Sequence, residues 1–196
     1  TGYGEDPEER ILALFVFKDA DPFLFVPQLS VEEAKASGIQ FDVYGYYDHE
    51  NPFEIIAEKI KERTKHFNTW AIEKDNLSVS RFQQLQLLFP LASFTQDMSR
   101  FIEQTRLIKT PEEIAILKAA GADADYAFKL AFDAIKTGRT EREVVQIVEA
   151  QLQEYGVSGF SFPMIVQAGK NAANPHGYPT ATKIEPNELI LIDLGT

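Results

Sequence analysis

Two residues near the end of the chain are of types that could do chemistry together. His176 sits in the loop VQAGKNAANPHG (166–177), and Asp193 closes the apolar run LILID (189–193) just before Gly195. An imidazole is accessible in both protonation states near neutral pH, so it can donate a hydrogen bond or carry a proton. A carboxylate is a hard oxygen ligand for a divalent cation. Each lies beside the end of an apolar run, and pairing of the two runs as strands is expected to bring them close. Both also have plainer readings. His176 could be an exposed loop histidine, held between the Asn174-Pro175 pair and Gly177. Asp193 could be a strand-end aspartate that accepts backbone hydrogen bonds. One carboxylate does not hold a metal by itself, so the ligand reading demands further donors.

Other chemical motifs fail on spacing. Gly169-Lys170 suggests a phosphate-binding loop, but position 164, where that motif needs glycine, is Met164. Gly156-Val157-Ser158-Gly159 is one residue short of a nucleophile elbow. Neither H-E-x-x-H nor G-x-G-x-x-G occurs. His49 and His66 lie in polar stretches and read as surface histidines.

The elements that must position His176 and Asp193 are two helices and a strand pair. Thr110-Pro111-Glu112-Glu113 and Thr140-Glu141-Arg142-Glu143 both spell capping boxes, in which a threonine and a glutamate three residues on satisfy each other's backbone N–H groups. The first opens a helix whose apolar face is predicted as Ile114, Leu117, Ala124, Phe128, Ala131 and Ile135. Gly121 inside it reads as a close-packing position, and Gly138 as its stop. The second carries Val144, Ile147, Val148 and Leu152 and stops at Gly156.

The first half alternates strands and helices. Strands are predicted at 11–17, 22–26, 41–46, 69–73 and 91–94, the first two as a hairpin. Ser30, Asn51 and Ser78 mark helix starts, Ser30 through a capping box with Glu33. Alternation of this kind means an α/β layer. The expected organisation is an α/β domain over 1–96, a linker region over 97–109, and a second domain over 110–196.

Composition bounds the function classes. The chain has 196 residues, 44% of them hydrophobic and 25% charged, with a formal net charge of −11. That charge repels a phosphate backbone, so nucleic-acid binding is not expected. There is no cysteine, which removes thiolate nucleophiles, disulfides and cysteine zinc sites. The longest apolar runs are about six residues, far from the roughly 20 of a membrane span. The chain starts at Thr1 and stops just past an apolar strand, so both ends are expected to continue in a longer protein.

RLIKTPEEIAILKAAG (106–121), TEREVVQIVEAQLQEYG (140–156), VQAGKNAANPHG (166–177) and NELILIDLGT (187–196) together resemble the pita-bread metallopeptidases. That family includes aminopeptidase P, the Xaa-Pro dipeptidases (prolidases) and methionine aminopeptidase, and creatinase shares its fold without using a metal. TGYGEDPEERILALFVFKDADPFLFVP (1–27) resembles the N-terminal domain carried by prolidases and creatinase. The likeness runs along the whole chain, and NAANPH and DLGT are its specific parts.

The resemblance implies a mixed-sheet α/β N-terminal domain with flanking helices, of creatinase/prolidase type, followed by an incomplete α+β pita-bread domain. It implies metal-dependent hydrolysis of Xaa-Pro dipeptides by the full-length protein, with aminopeptidase P activity or a non-catalytic peptide-binding module as alternatives. Asp193 matches the family's metal-bridging aspartate and His176 its substrate-site histidine. Two divalent metal ions are implied, manganese first and cobalt or zinc as substitutes. Their remaining ligands are expected beyond Thr196, so this chain alone is expected to be inactive. A homodimer in the cytoplasm is implied, with the acidic loop at Glu5 and Asp6 as a substrate-site contact supplied to the partner's pocket. A proline-containing dipeptide would be the substrate.

Overall fold

The computed structural model describes residues 3, 4, 8–66 and 68–196. Glu5 and Asp6 lie outside these residues. The chain divides into two compact units, Thr1–Leu107 and Ile108–Thr196.

In the first unit, β1 (Ala13–Phe15) pairs antiparallel with β2 (Phe23–Pro27), as the hairpin reading expected, and β2 pairs parallel with β3 (Asp42–Tyr46). The mixed sheet has β2 at its centre. Every residue of β2 is buried, and its alternation divides the core in two. Phe23 and Phe25 face a cluster with Ile56, Ile60, Leu85 and Phe89 from helices α2 (Pro52–Arg63) and α3 (Val79–Leu88) and the residue after α3. Leu24 and Val26 face Val31 and Ala34 of α1 (Val31–Ala36). A parallel pair, β4 (Thr69–Ile72) and β5 (Ser93–Asp97), precedes α4 (Ser99–Leu107). Helix α4 fills most of the stretch read as a linker.

Helix starts at Asn51 and Ser78 behave as their letters predict: each side-chain oxygen accepts a backbone N–H of the first turn, from Phe53 and Arg81. Ser30 does not. A 3-10 turn over Gln28–Ser30 holds it at φ −93°, ψ −5°, and its side chain makes no cap bond. A capping serine needs an extended backbone to reach back over the helix end, and that turn removes it.

The second unit has two helices and a ribbon. α5 (Pro111–Ala134) and α6 (Glu141–Tyr155) both start with complete capping boxes. α6 ends at Gly156 with φ 110°, where the N–H groups of Gly156 and Val157 return to the last turn. β6 (Ile165–Ala168) and β7 (Ile190–Asp193) pair antiparallel. The core joins Ala127, Leu130, Ala131 and Ala134 of α5, Val144, Val148 and Leu152 of α6, and Val166 and Ala168 of β6.

Two expectations for α5 are corrected. Its buried face is not the predicted stripe: Ile114, Leu117 and Phe128 are 43%, 57% and 36% exposed, and only Ala131 of the six is fully buried. α6 and the ribbon cover only the C-terminal part of α5, so small alanines do the packing there. Gly121 is not a close-packing position either, since a Cβ there would meet nothing within 4 Å.

Candidate active-site face

The register of the ribbon decides where Asp193 points. Asp193 lies opposite Ile165, and Gln167 opposite Leu191. Strand side chains alternate, so Ile165, Gln167, Leu191 and Asp193 share one face. The other face, with Val166, Ala168, Ile190 and Ile192, packs on α5 and α6. Asp193 is thus turned away from the core, and it is exposed.

Strand pairing alone does not bring His176 to it. The loop with His176 leaves from Ala168, which pairs with Ile190 at the end of the ribbon opposite Asp193. Three residue steps of strand amount to about 10 Å. The expected proximity needs a second feature, a loop that folds back. Asn174-Pro175-His176-Gly177 forms a turn in which Gly177 N–H donates to the Asn174 carbonyl at 3.1 Å. Proline in the second position and asparagine in the first suit such a turn. Gly177 is buried against the side chain of Gln167, so closely that an added Cβ would overlap the amide. The turn therefore lies on the ribbon face that carries Asp193, with Leu191 beside Gln167 and Asp193 about 7 Å further along its strand. His176 at the tip is exposed. Among the described residues, no hydrogen bond or ion pair holds the side chain of His176 or Asp193.

What holds this loop is a residue the sequence reading passed over. Glu141, the first residue of α6, is completely buried. Its Oε1 accepts the N–H of Ala168 at 2.8 Å and Asn171 Nδ2 at 2.9 Å. Its Oε2 accepts the N–H of Thr180 at 2.7 Å and the Thr180 hydroxyl at 2.6 Å. Burial, the largest influence on this carboxyl, pushes its pKa up, but the bonds from Thr180, Ala168 and Asn171 together outweigh it and hold it below its usual range. The backbone completes the junction. The unpaired N–H groups in the first turn of α6 donate outward, Glu141 N to the Thr182 carbonyl at 3.1 Å and Arg142 N to the Thr180 carbonyl at 3.2 Å. Arg142 Nε adds a bond to the Pro179 carbonyl at 3.0 Å. Helical spacing carried the missing signal: Glu141 lies on the stripe of Val144, Val148 and Leu152, so the helix faces this acid inward.

Two glycines shape the rest of the face. Gly169 has φ 54°, and a Cβ there would overlap the Glu188 carboxylate. Gly195 follows Asp193 closely, and a Cβ there would overlap Ser161 Oγ. Ser161 N–H donates to the Gly195 carbonyl at 3.1 Å.

Residues 1–108 match the Creatinase/Prolidase N-terminal domain and residues 115–196 match Metallopeptidase family M24. The chain belongs to the creatinase/prolidase group of the M24 family. It is 59% identical over its whole length to the Xaa-Pro dipeptidase of Lactobacillus helveticus and 53% identical to that of Lactobacillus delbrueckii subsp. lactis. A crystal structure of prolidase from Thermococcus sibiricus is similar with a TM-score of 0.83 and 30% identity, over 99% of this chain and 52% of that one. The chain spans about half the length of the curated relatives it matches, 54% of each of the two named. The α/β N-terminal domain followed by part of a pita-bread domain is thus the fold of this M24 chain.

The match to Metallopeptidase family M24 implies divalent metal ions, and Asp193 fits one place in such a site: an exposed carboxylate at a strand end with no side-chain partner among the described residues. The described residues alone do not complete one, because they contain no group of three or more His, Cys, Asp or Glu side chains able to hold a metal. No helix among them is long and apolar enough to cross a membrane.

Proposed function

We propose that the protein containing this chain hydrolyses Xaa-Pro dipeptides with divalent metal ions, manganese first and cobalt or zinc as substitutes. The observation that carries the reading is the likeness to Xaa-Pro dipeptidases along all of the chain, 59% identical in one of them. The geometry supports it, since a turn with an exposed histidine folds onto the ribbon face of an exposed aspartate. Metal ions in such enzymes supply Lewis acidity and a water acidic enough to attack at neutral pH. Asp193 would contribute one hard oxygen ligand. His176 would donate a hydrogen bond to the substrate carbonyl oxygen as negative charge develops there. A proline at the second position has no amide N–H, so the site must grip this substrate without that donor.

In this reading the protein is a cytoplasmic homodimer. Glu5 and Asp6 would reach the partner's pocket and limit substrate length. This chain by itself is expected to lack peptidase activity, because Asp193 has no companion ligands among the described residues.

The test is an assay of the full-length protein, supplemented with manganese, on Xaa-Pro dipeptides and an Xaa-Pro tripeptide. Cleavage of the dipeptides alone is the expected result. Cleavage of the tripeptide at a similar rate would replace the reading with an aminopeptidase P activity, and cleavage of neither would overturn it. Replacing Glu5 and Asp6 by alanine is expected to change discrimination between dipeptide and tripeptide.

A further inference from the structure

We propose that Glu141 is the positioning residue for His176: one buried carboxylate closes both ends of the loop that carries the histidine. The proposal rests on the peptidase reading for the role of His176, while its structural part stands on the hydrogen bonds alone.

The chain leaves β6 at Ala168, passes through the 3-10 turn Gly169–Ala173 and the turn at His176, and returns to α6 at Thr180. Oε1 of Glu141 takes the departing strand, through Ala168 N–H and the Asn171 amide. Oε2 takes the returning strand, through the N–H and hydroxyl of Thr180. The hydroxyl of Thr180 has one proton, which goes to Glu141, and Thr182 Oγ1, 2.8 Å from Thr180 Oγ1, can donate to it in turn. Asn171 Nδ2 also lies 3.1 Å from Thr182 Oγ1, so the network links both strands again outside the carboxylate.

The alternative, a carboxylate that merely stabilises the helix start, does not account for this geometry. A helix N-terminus favours an acid in its first turn, but that role leaves the carboxylate oxygens to solvent or to the helix's own N–H groups. The capping role here belongs to Glu143, which closes the box with Thr140. Glu141 spends all four bonds on the loop and none on its helix. A fully buried ionised acid is costly unless its acceptor sites are filled. Filling them from both strands makes the loop ends close as one unit. Between these ends, the turn Asn174–Gly177 and the seat on Gln167 fix the backbone on either side of His176.

The experiment uses the full-length protein with Glu141→Gln, Thr180→Val and Thr180→Ser, each alone and with His176→Ala. Glutamine keeps the shape but turns an N–H₂ toward N–H donors. Valine removes the Thr180 hydroxyl, and serine keeps it. Amide hydrogen exchange over 170–180 is expected to speed up by about tenfold or more in Glu141→Gln and Thr180→Val, with α5 amides unchanged. In the same variants kcat/KM for an Xaa-Pro dipeptide is expected to fall about tenfold or more, since small misplacements of a reacting group are costly. That loss should vanish in the His176→Ala background, the mark of one residue acting through the other. Thr180→Ser should behave as the parent protein. Unchanged exchange over 170–180 in a folded Glu141→Gln protein would overturn the proposal, and so would a kcat/KM loss that persists without His176. If Glu141→Gln fails to fold, Thr180→Val decides by the same criteria. A parent protein that cleaves no Xaa-Pro dipeptide refutes the peptidase reading separately, and exchange then still decides whether Glu141 holds the loop.

Discussion

Gly177 rests on the side chain of Gln167 with no room for a Cβ between them. This contact turns a loop that starts at the wrong end of the ribbon back over the face of Asp193. Gln167 is 3% exposed, and its Oε1 has no hydrogen-bond partner among the described residues. A polar side chain is thus kept under the turn at some cost, which a smaller apolar residue would avoid.

Gly177→Ala is expected to destabilise the second unit by about 1–3 kcal/mol, the usual cost of an extra carbon in a closed site. Gln167→Ala in the same protein should recover most of the loss, because it removes the atoms the new methyl would strike. Urea unfolding of the single and double variants measures both. Equal losses in the two would show that the contact with Gln167 is not the cause.

Local signals in the sequence were legible where the backbone answers to nearby residues alone. Thr110 with Glu113 and Thr140 with Glu143 close their boxes as spelled, and Gly156 takes the positive φ that its place after a helix suggested. Ser30 with Glu33 has the same letters and fails, because the chain enters that helix from a 3-10 turn. Asp193 could be placed at a strand end from its apolar run. The fold-back of His176 could not, since it depends on Gln167 and Glu141, residues that become neighbours of the loop only through packing. The stripe on α5 was read by periodicity, which reports which residues could be buried but not how much of the helix finds a partner.

Arg63 offers a test in the first unit. Its guanidinium lies 4.8 Å from the Phe23 ring centroid and 5.0 Å from that of Tyr44, and it pairs with Asp42. The Arg63 side chain is 12% exposed while Asp42 is 63% exposed, so the stacking should matter more than the ion pair. Arg63→Lys is expected to cost about 1 kcal/mol, because a compact ammonium cannot lie against both rings and reach Asp42 and the Tyr44 hydroxyl at once. Asp42→Asn should cost less than that in the same urea titration. The reverse order would assign the stabilisation to the ion pair.

Acid should loosen the junction at Glu141. Its folded pKa lies below the unfolded value, near 4.5. A group shifted this way binds fewer protons folded than unfolded, so its contribution is full above the unfolded pKa and is lost as pH falls through the folded one. Stability of the second unit should therefore decline below about pH 4.5, with Glu141→Gln showing a shallower decline from a lower starting value. Glu112, shifted down by its own backbone N–H and the Thr110 hydroxyl, and Glu143, shifted down by its capping bonds with Thr140, keep some slope in the variant. Thermal unfolding between pH 3 and 7 measures the difference, and parallel curves would remove Glu141 from the acid response.

Asp193 and His176 should fail in different ways in the full-length protein. Asp193 has an exposed carboxylate and no side-chain partner among the described residues, so Asp193→Asn removes little from the fold. If it ligates metal, affinity should fall by at least about a hundredfold, since even outer partners of a metal site account for 10–100-fold. His176→Ala should keep the metal and lose about 10²–10³ in kcat, the scale of one missing donor to a developing oxyanion. Titration calorimetry with manganese, beside kinetics on one Xaa-Pro dipeptide, separates the two. Full metal affinity in Asp193→Asn would strike it from the ligand set. Lost metal in His176→Ala would move the histidine from the substrate to the ions, and the fold-back over Gln167 would then serve metal binding instead.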